Sequence, residues 1–268
     1  MTNWKATFLR VSLSMNSYDV VDWSGTYKSQ MENVINAIGT YPNAYVLVAL
    51  RSHPNMMKNC PNSNVLYGDD ARCMPNSSDS MDDTYRALVG SFKDARSVLF
   101  AITNEPGGMS ASDSEIRGVM DHAVSVIRAE EDRLGVPHHL VAVQGNQWTS
   151  RIGFYDSSPL PYDNVVYEYH SYPPEATGTY GYTQSNIPVI IGEYGPGMAG
   201  STDDNATMSD SATLFADLEA KKISSLAWDF SPLSDCAPDL VYRNRTPITP
   251  NAWGRTVKDY LLAHAPLR

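Results

Sequence analysis

Two glutamates in this chain follow runs of strand-like residues and lie far apart in the sequence. Glu105 comes shortly after the apolar run Val98–Ile102, and Glu193 comes shortly after Val189–Ile191. A carboxylate is costly to place beside apolar strands unless it is paired or used in chemistry. Two such carboxylates at strand ends predict a two-carboxylate active site, and a pair of this kind carries out glycoside hydrolysis.

The rest of the chain alternates short apolar runs with longer segments of helical periodicity. Several short runs are apolar at nearly every position, which is typical of parallel strands covered on both faces. We predict seven strands: Thr7–Leu13, Ala44–Leu50, Ser97–Thr103, His139–Gln144, Asn164–His170, Pro188–Gly192 and Ser224–Trp228. We predict five helices: Tyr27–Ile38, Met81–Ala95, Asp113–Leu134, Asp210–Lys222 and Ala252–Ala263.

Repeated strand–helix units favour an α/β fold with a parallel sheet. The 268 residues suffice for one (β/α)8 barrel of the TIM type, which takes about 250 residues. The sequence supplies seven strands rather than eight, so we predict a barrel that lacks one strand–helix unit. Since no linker or change of composition divides the chain, we predict a single catalytic domain over residues 1–268.

A barrel without one strand has unpaired backbone N–H and C=O groups on the two strands that would flank it. Each buried and unsatisfied group costs about 1–3 kcal/mol. Three outcomes stay open: Met1–Lys5 fills part of the gap, a second copy pairs with the edge, or the chain is a truncated piece of a longer protein. We expect self-association through the open edge.

Three motifs in order resemble glycoside hydrolase family 5, a family of retaining β-glycanases with the (β/α)8 fold. They are Ile102–Pro106 with its Asn-Glu-Pro, Tyr167–Tyr172 with its His-x-Tyr, and Ile191–Gly195 with its Gly-Glu-x-Gly. The arginine-bearing run Phe8–Val11 looks like the family's second strand, and Ala227–Phe230 looks like its eighth. The resemblance therefore implies that the family's first strand is the missing one.

The resemblance also implies the roles of the two glutamates. Glu105 matches the general acid/base and Glu193 the nucleophile, while Arg10 matches an arginine that keeps the nucleophile ionised. Physical chemistry agrees, because a negative Glu193 raises the pKa of Glu105, which must hold a proton to act as an acid. Once Glu193 is consumed in a glycosyl-enzyme, Glu105 can lose its proton and act as a base.

Four further residues are implied as substrate-binding. Asn104 resembles the asparagine that hydrogen-bonds the sugar 2-hydroxyl, and Tyr172 matches a tyrosine that contacts the nucleophile. His170 lies two residues before Tyr172, so both side chains point to the same side of an extended strand. Trp228 could stack on a sugar. The competing interpretations are a turn asparagine, a structural histidine and a tryptophan that fills the barrel top.

Trp148, past the family's fifth strand, could add another sugar platform or be structural. The family also has a histidine at the end of its third strand. Here His53 is the candidate for it and Arg51 is its rival. Glu168 has the same strand parity as His170, so it could project into the barrel as a supporting group.

The charge balance of the chain limits its partners. A formal net charge of -10 and a pI near 5.0 argue against nucleic acid and anionic membranes, which require clustered Lys and Arg. A neutral polysaccharide or oligosaccharide is compatible. No apolar run approaches the roughly 20 residues that span a bilayer. No Cys/His cluster has the spacing of zinc ligands, and we predict neither a metal nor a cofactor.

Cysteine usage suggests an exported protein. Cys60 and Cys73 flank a loop rich in Pro, Asn, Asp and Gly, where a disulfide would suit a secreted protein. Two unpaired thiols are the alternative, and Cys236 has no evident partner. The start at Met1–Lys5 is not a secretion signal, so we predict a secreted protein whose leader is absent from this chain.

The resulting hypothesis is a retaining β-glycosidase, favoured as an endo-β-1,4-glucanase of the cellulase type. The alternatives within the family are a β-mannanase and an exo-acting β-glucosidase or β-1,3-glucanase. An alternative of another class is a non-catalytic carbohydrate-binding barrel, and the presence of both Glu105 and Glu193 argues against it.

Overall fold

The computed structural model describes residues 3–14, 23–52, 81–106, 111–172, 186–196, 211–231, 239–242 and 245–264. The chain divides into two compact units. The amino-terminal unit comprises Leu9–Glu168 with Ser185–Pro188, and the carboxyl-terminal unit comprises Met1–Phe8, Tyr169–Gln184 and Val189–Arg268. The prediction of a single domain over residues 1–268 stays a prediction, as does self-association through a strand edge. His53, Cys60, Cys73 and Cys236 lie outside the described residues.

Within the residues that the structure describes, seven strands form one sheet, and their order in the sheet follows their order in the chain. They are β1 (Phe8–Ser14), β2 (Tyr45–Ser52), β3 (Val98–Ala101), β4 (Val141–Gln144), β5 (Val165–Ser171), β6 (Val189–Tyr194) and β7 (Ser225–Ala227). The pairs β2–β3, β3–β4, β4–β5 and β6–β7 are parallel. All seven predicted strands are therefore present in the described residues, with ends that differ by up to two residues.

Helices follow the strands in the amino-terminal unit. They are α1 (Gly25–Gly39), α2 (Met81–Phe92), α3 (Asp113–Leu134) and the single turn α4 (Phe154–Ser157). Ser112 and Glu115 form a capping box at the start of α3, and Gly135 ends the helix with a φ of 67°. These local signals explain why the predicted bounds of α3 are correct. The turn α4 was not predicted.

The strands β2 and β4 form part of the buried core of the amino-terminal unit. Every residue of β4 is buried, and Val46–Leu50 of β2 are 0–1% exposed. Strands covered on both faces must be apolar throughout, which is why these runs do not alternate. Any polar side chain in such a strand needs a partner inside the protein.

The carboxyl-terminal unit contains β6, β7, α5 (Ser211–Lys221) and α6 (Ala252–Ala263). Tyr194 packs edge-to-face on Trp253, with ring centroids 5.9 Å apart. Asn251 caps α6 by accepting a hydrogen bond from Gly254 N at 2.8 Å. A Cβ at Gly254 would lie 1.7 Å from the carbonyl oxygen of Leu240, so no larger residue fits there. Among the helices that the structure describes, none has the length and apolar character needed to cross a bilayer.

A buried ion pair fixes the approach to β4. Glu131 of α3 accepts hydrogen bonds from Arg128 Nη1 at 2.6 Å and from His139 N and Nδ1 at 2.8 and 2.7 Å. Burial raises the pKa of Glu131, but the hydrogen bonds from His139 and Arg128 outweigh burial and hold the pKa of this carboxyl below its usual value. The end of α3 is thereby tied to the residues that lead into β4.

We expect Glu131→Gln to lower the free energy of unfolding near pH 7 by about 3 kcal/mol, because it removes one partner of a buried ion pair. A carboxyl whose pKa is lowered by folding stabilises above its unfolded pKa, and this stabilisation is lost as the pH falls through its folded pKa. The difference between wild type and variant should therefore shrink as the pH falls below the usual titration range of a glutamate carboxyl. Urea unfolding followed by circular dichroism measures it.

Glu32→Gln is the matched control, because Glu32 pairs with Lys28 and their side chains are 27% and 37% exposed. This substitution should cost less than about 1 kcal/mol. Equal losses in the two variants, or a difference that does not change with pH, would contradict the account of Glu131.

Candidate active site

The two glutamates lie at or shortly beyond the carboxyl ends of separate strands. Glu105 lies four residues beyond Ala101, the last residue of β3, and is half-buried. Glu193 is the fifth residue of β6 and is 5% exposed. Sheets of sequentially ordered parallel strands carry their catalytic groups at the carboxyl ends of the strands.

In the amino-terminal unit, five polar residues form what we call the Arg10 network: Arg10, Asn104, Glu105, Gln144 and Glu168. Arg10 Nη2 donates to Asn104 Oδ1 at 2.7 Å and lies 3.5 Å from Glu168 Oε1. Gln144 Nε2 donates to Glu168 Oε2 at 2.8 Å, and the backbone N–H of Glu105 donates to Gln144 Oε1 at 3.0 Å. The predicted residues Arg10, Asn104 and Glu105 are thus brought together.

Apart from the half-buried Glu105, the side chains of the Arg10 network are almost wholly withdrawn from solvent. The side chains of Arg10 and Glu168 are 5% and 0% exposed, and Gln144 and Asn104 are 0% and 1% exposed. A buried charge is tolerated when it is paired and hydrogen-bonded. Arg10 and Glu168 supply opposite charges, while the two amides supply donors and acceptors between them.

Glu105 has an unusual backbone. Its φ is 51°, in the left-handed region that residues other than glycine rarely adopt. Such a conformation costs about 1–3 kcal/mol and persists only where the surroundings hold it, often at active sites. The hydrogen bond from its N–H to Gln144 is one of the contacts that hold it.

In the carboxyl-terminal unit, His170 and Tyr172 converge on one oxygen of Glu193. The hydroxyl of Tyr172 donates to Glu193 Oε2 at 2.9 Å, and His170 Nδ1 lies 3.6 Å from the same oxygen. Both contacts act on Oε2, so they fix the orientation of the carboxylate. The expected contact between Tyr172 and Glu193 is present.

The alternation of side chains along β5 explains which residues point toward these groups. Glu168, His170 and Tyr172 are separated by two residues each, so their side chains leave the same face of the strand. Glu168 contacts the Arg10 network, whereas His170 and Tyr172 contact Glu193.

Trp148 lies in a left-handed turn that follows β4. Gln147, Trp148 and Thr149 have φ values of 52°, 55° and 65°. Trp148 is 47% exposed, whereas Thr149 is fully buried. Three consecutive left-handed residues without glycine are costly, so this turn must be held by its neighbours.

The turn is held at its base and from the start of α3. Asn146 and Arg151 pair through both of their backbone groups at 2.9 and 3.1 Å. Asp113 Oδ2 accepts from Arg151 Nη2 at 2.7 Å, and Asp113 Oδ1 accepts from Asn146 Nδ2 at 3.0 Å. A Cβ at Gly145 would lie 2.1 Å from the carbonyl oxygen of Arg151, so only glycine fits beside this base. Trp148 is therefore presented by a braced turn.

Two further predicted residues, Trp228 and Arg51, lie at strand ends. Trp228 directly follows β7, is half-buried, and donates its backbone N–H to Tyr194 O at 2.9 Å. Arg51 is half-buried near the end of β2. Because His53 is outside the described residues, the choice between Arg51 and His53 stays open.

Gln144 was missed by the sequence analysis as a site residue. The signal was a single polar residue at the end of the otherwise apolar strand Val141–Gln144, at a position that is fully buried. Buried amides need hydrogen-bond partners, but the sequence does not tell which residues supply them. Glu168, which was expected to support the site, contacts Gln144 and Arg10.

Comparison with known proteins agrees with the motifs. A family model described as cellulase (glycosyl hydrolase family 5) matches residues 1–234. Endoglucanase A of Butyrivibrio fibrisolvens is 26% identical over 155 residues, which are 54% of this chain. The aligned region spans only 33% of that relative's length.

Two solved structures are similar over nearly the whole chain. The catalytic domain of an endoglucanase from Thermobifida fusca in complex with cellotetraose has a TM-score of 0.72 at 18% identity, covering 97% of this chain and 83% of that chain. A β-mannanase from Streptomyces thermolilacinus with mannohexaose has a TM-score of 0.67 at 18% identity, covering 98% and 80%. At this level of identity, the similarity shows the fold alone, which is the predicted TIM-barrel type; the described part of this chain contains seven strands of it.

The family match rests on most of the chain and includes all three motifs around Glu105, His170 and Glu193. The chain therefore belongs to glycosyl hydrolase family 5, the cellulase family, and is a glycoside hydrolase.

Proposed function

We propose that this enzyme is a retaining β-glycosidase that cleaves β-1,4-glucan within the polymer. Glu105 is the general acid/base and Glu193 is the nucleophile. The observation that carries the proposal is that each glutamate is held in a defined geometry at a strand end. Glu193 has its carboxylate oriented by Tyr172 and His170, and Glu105 is held in a left-handed backbone.

The proposed reaction has two displacements. In the first, a Glu193 oxygen bonds to the anomeric carbon while Glu105 gives its proton to the departing glycosidic oxygen. In the second, Glu105 takes a proton from water, the water oxygen bonds to the anomeric carbon, and Glu193 leaves as a carboxylate. Two inversions give net retention, and Glu105 ends each cycle protonated.

Asn104 is oriented for the role that the resemblance implies. Its Oδ1 accepts the hydrogen bond from Arg10, so its Nδ2 is turned to the opposite side of the planar amide. From there it can donate to the 2-hydroxyl of the sugar whose bond is broken. Hydrogen bonds to this hydroxyl strengthen toward the transition state.

The substrate class is argued from the aromatic side chains and the relatives. Trp148 exposes 47% of its surface on a braced turn, and a flat ring of this kind can stack on a β-linked sugar. Relatives named as endoglucanases favour glucan. The β-mannanase of similar fold makes mannan the second candidate. Since such polymers do not cross membranes, we also propose that the enzyme acts outside the cell.

We expect the wild-type enzyme to release reducing ends from soluble β-1,4-glucan at least about tenfold faster than from mannan or β-1,3-glucan. Because the cleavage is internal, solution viscosity should fall early, before many ends are released. Nuclear magnetic resonance should detect the β-anomer as the first product. An α-anomer would refute retention, a faster rate on mannan would make the enzyme a mannanase, and binding without turnover would favour a non-catalytic barrel.

We expect Glu193→Ala and Glu105→Gln each to lower kcat/KM on cello-oligosaccharides by at least about a hundredfold. Azide should restore turnover of an activated aryl cellobioside by the Glu193→Ala variant and give an α-glycosyl azide, because the small anion replaces the missing nucleophile. The matched control is Glu32→Gln on α1, which should keep wild-type activity. If the glutamate variants stay within tenfold of wild type, these assignments are wrong.

We expect Trp148→Ala to raise KM for long cello-oligosaccharides by about two- to tenfold, because one aromatic contact is worth about 0.5–1.5 kcal/mol. Turnover of an activated aryl cellobioside should change little, since this short substrate reaches fewer contacts. Tyr41→Ala is the control, because Tyr41 is similarly exposed at 45% and has no part in the proposed site. Equal effects of the two substitutions would show that Trp148 does not contact the substrate.

A further inference from the structure

Gln144 is the link in the Arg10 network that directly contacts Glu105. It is the last residue of β4, it is fully buried, and it lies opposite Glu168 in the register of β4 and β5. We propose that Gln144 is a positioning residue that holds the backbone of Glu105 in place for proton transfer, with Glu168 as its buried anionic partner. This inference rests on the proposed function of Glu105.

The hydrogen bonds allow only one orientation of the Gln144 amide. Its Oε1 accepts from Glu105 N at 3.0 Å, and its Nε2 donates to Glu168 Oε2 at 2.8 Å. A rotated amide would set two N–H donors against each other and two acceptors against each other. The backbone carbonyl of Gln144 also accepts a hydrogen bond from the hydroxyl of Tyr155 at 3.0 Å, so the residue is anchored at both ends.

The same network reaches the neighbouring residue from the other side. Arg10 Nη2 contacts Glu168 Oε1 at 3.5 Å and donates to Asn104 Oδ1 at 2.7 Å. Asn104 is therefore held through its side chain and Glu105 through its N–H. Together these contacts fix the Asn104–Glu105 pair, in which Glu105 has the rare left-handed conformation.

Gln144 cannot itself exchange a proton in this reaction, because a carboxamide is neither an acid nor a base near neutral pH. Its effect must act through Glu105. The titratable and charged groups with described contacts to this network are Arg10 from β1, Glu105 after β3, Glu168 from β5 and Tyr155 from α4. Of these groups, Glu168 contacts the side chain of Gln144, so a substitution of Gln144 that responds to this carboxylate can test the proposal.

The variant Gln144→Glu turns the bridge into a proton-dependent one. At low pH, a protonated carboxyl at this position can still accept from Glu105 N–H and donate its proton to Glu168. At high pH, two adjacent buried carboxylates would repel each other, so the bridge should break as the shared proton leaves. The bridge in the wild-type enzyme has no such proton.

We expect kcat/KM of Gln144→Glu to lie within about threefold of wild type near pH 5 and to fall by a further factor of about ten or more by pH 8. The ratio of variant to wild type is plotted against pH, so the enzyme's own pH profile cancels. Circular dichroism is recorded at each pH. The control is Gln30→Glu on the exposed face of α1, which makes the same chemical change and should give a flat ratio.

A flat ratio for Gln144→Glu would overturn the proposal. A fall that coincides with unfolding of the variant would also count against it, because it would show a structural role alone. A reversible fall in the folded protein supports the proposal.

A second variant gives a readout that depends on proton donation and not on pH. Gln144→Met has a similar length but makes neither hydrogen bond. Its kcat/KM should fall about tenfold or more for an aryl cellobioside with a poor leaving group, because departure of that group needs a proton from Glu105. It should fall no more than about twofold for a dinitrophenyl cellobioside, whose leaving group departs without a proton. Equal losses on both substrates would overturn the proposal.

Failure of this inference can be told apart from failure of the proposed function. If Glu105→Gln retains activity on the poor leaving group, the role of Glu105 is wrong. If Glu105→Gln is inactive there while both Gln144 variants follow wild type, Glu105 is the acid and Gln144 does not position it.

Discussion

The buried charge of Arg10 is the constraint around which the amino-terminal part of the site is arranged. A guanidinium in the interior must be balanced and hydrogen-bonded, because an unpaired charge there would be far too costly. The groups that satisfy it come from separate elements: Glu168 from β5 and Asn104 from the segment after β3. Satisfying Arg10 therefore fixes two segments that are distant in the sequence, and Gln144 extends the same bonds to Glu105.

The contacts to the two glutamates suit their proposed tasks. A general acid/base changes its protonation state twice in each cycle, so a hydrogen bond made by its side chain would also change. The bond between Glu105 N and Gln144 is made by the backbone and does not depend on that proton. A nucleophile must instead keep one orientation until it attacks, and the Tyr172 hydroxyl acts directly on the Glu193 carboxylate. The backbone bond of Glu105 thus persists through both proton transfers, and the bond from Tyr172 keeps the Glu193 carboxylate in one orientation.

The sequence predicted the strands because continuous apolar runs leave few alternatives, and it predicted both bounds of α3, where the structure has a capping box at Ser112 and a left-handed glycine at Gly135. The turn α4 was missed because four residues are too few to show a period. The motif residues could be named from the sequence, but the partners of Gln144 could not. Nor could the left-handed turn at Trp148, since it depends on Asp113, which precedes it by 35 positions.

The helix α3 explains how β4 can hold Gln144 in a fixed position. Near the end of the helix, Glu131 binds His139, just before the strand begins. At its start, Asp113 binds Asn146 and Arg151, just after the strand ends. One long helix therefore clamps both ends of a four-residue strand whose side chains are all buried. Because hydrogen bonds require donor and acceptor to be placed within a few tenths of an ångström, a strand held at both ends is a suitable support for Gln144. The length of α3, which spans 22 residues, is thus part of what places the backbone of Glu105.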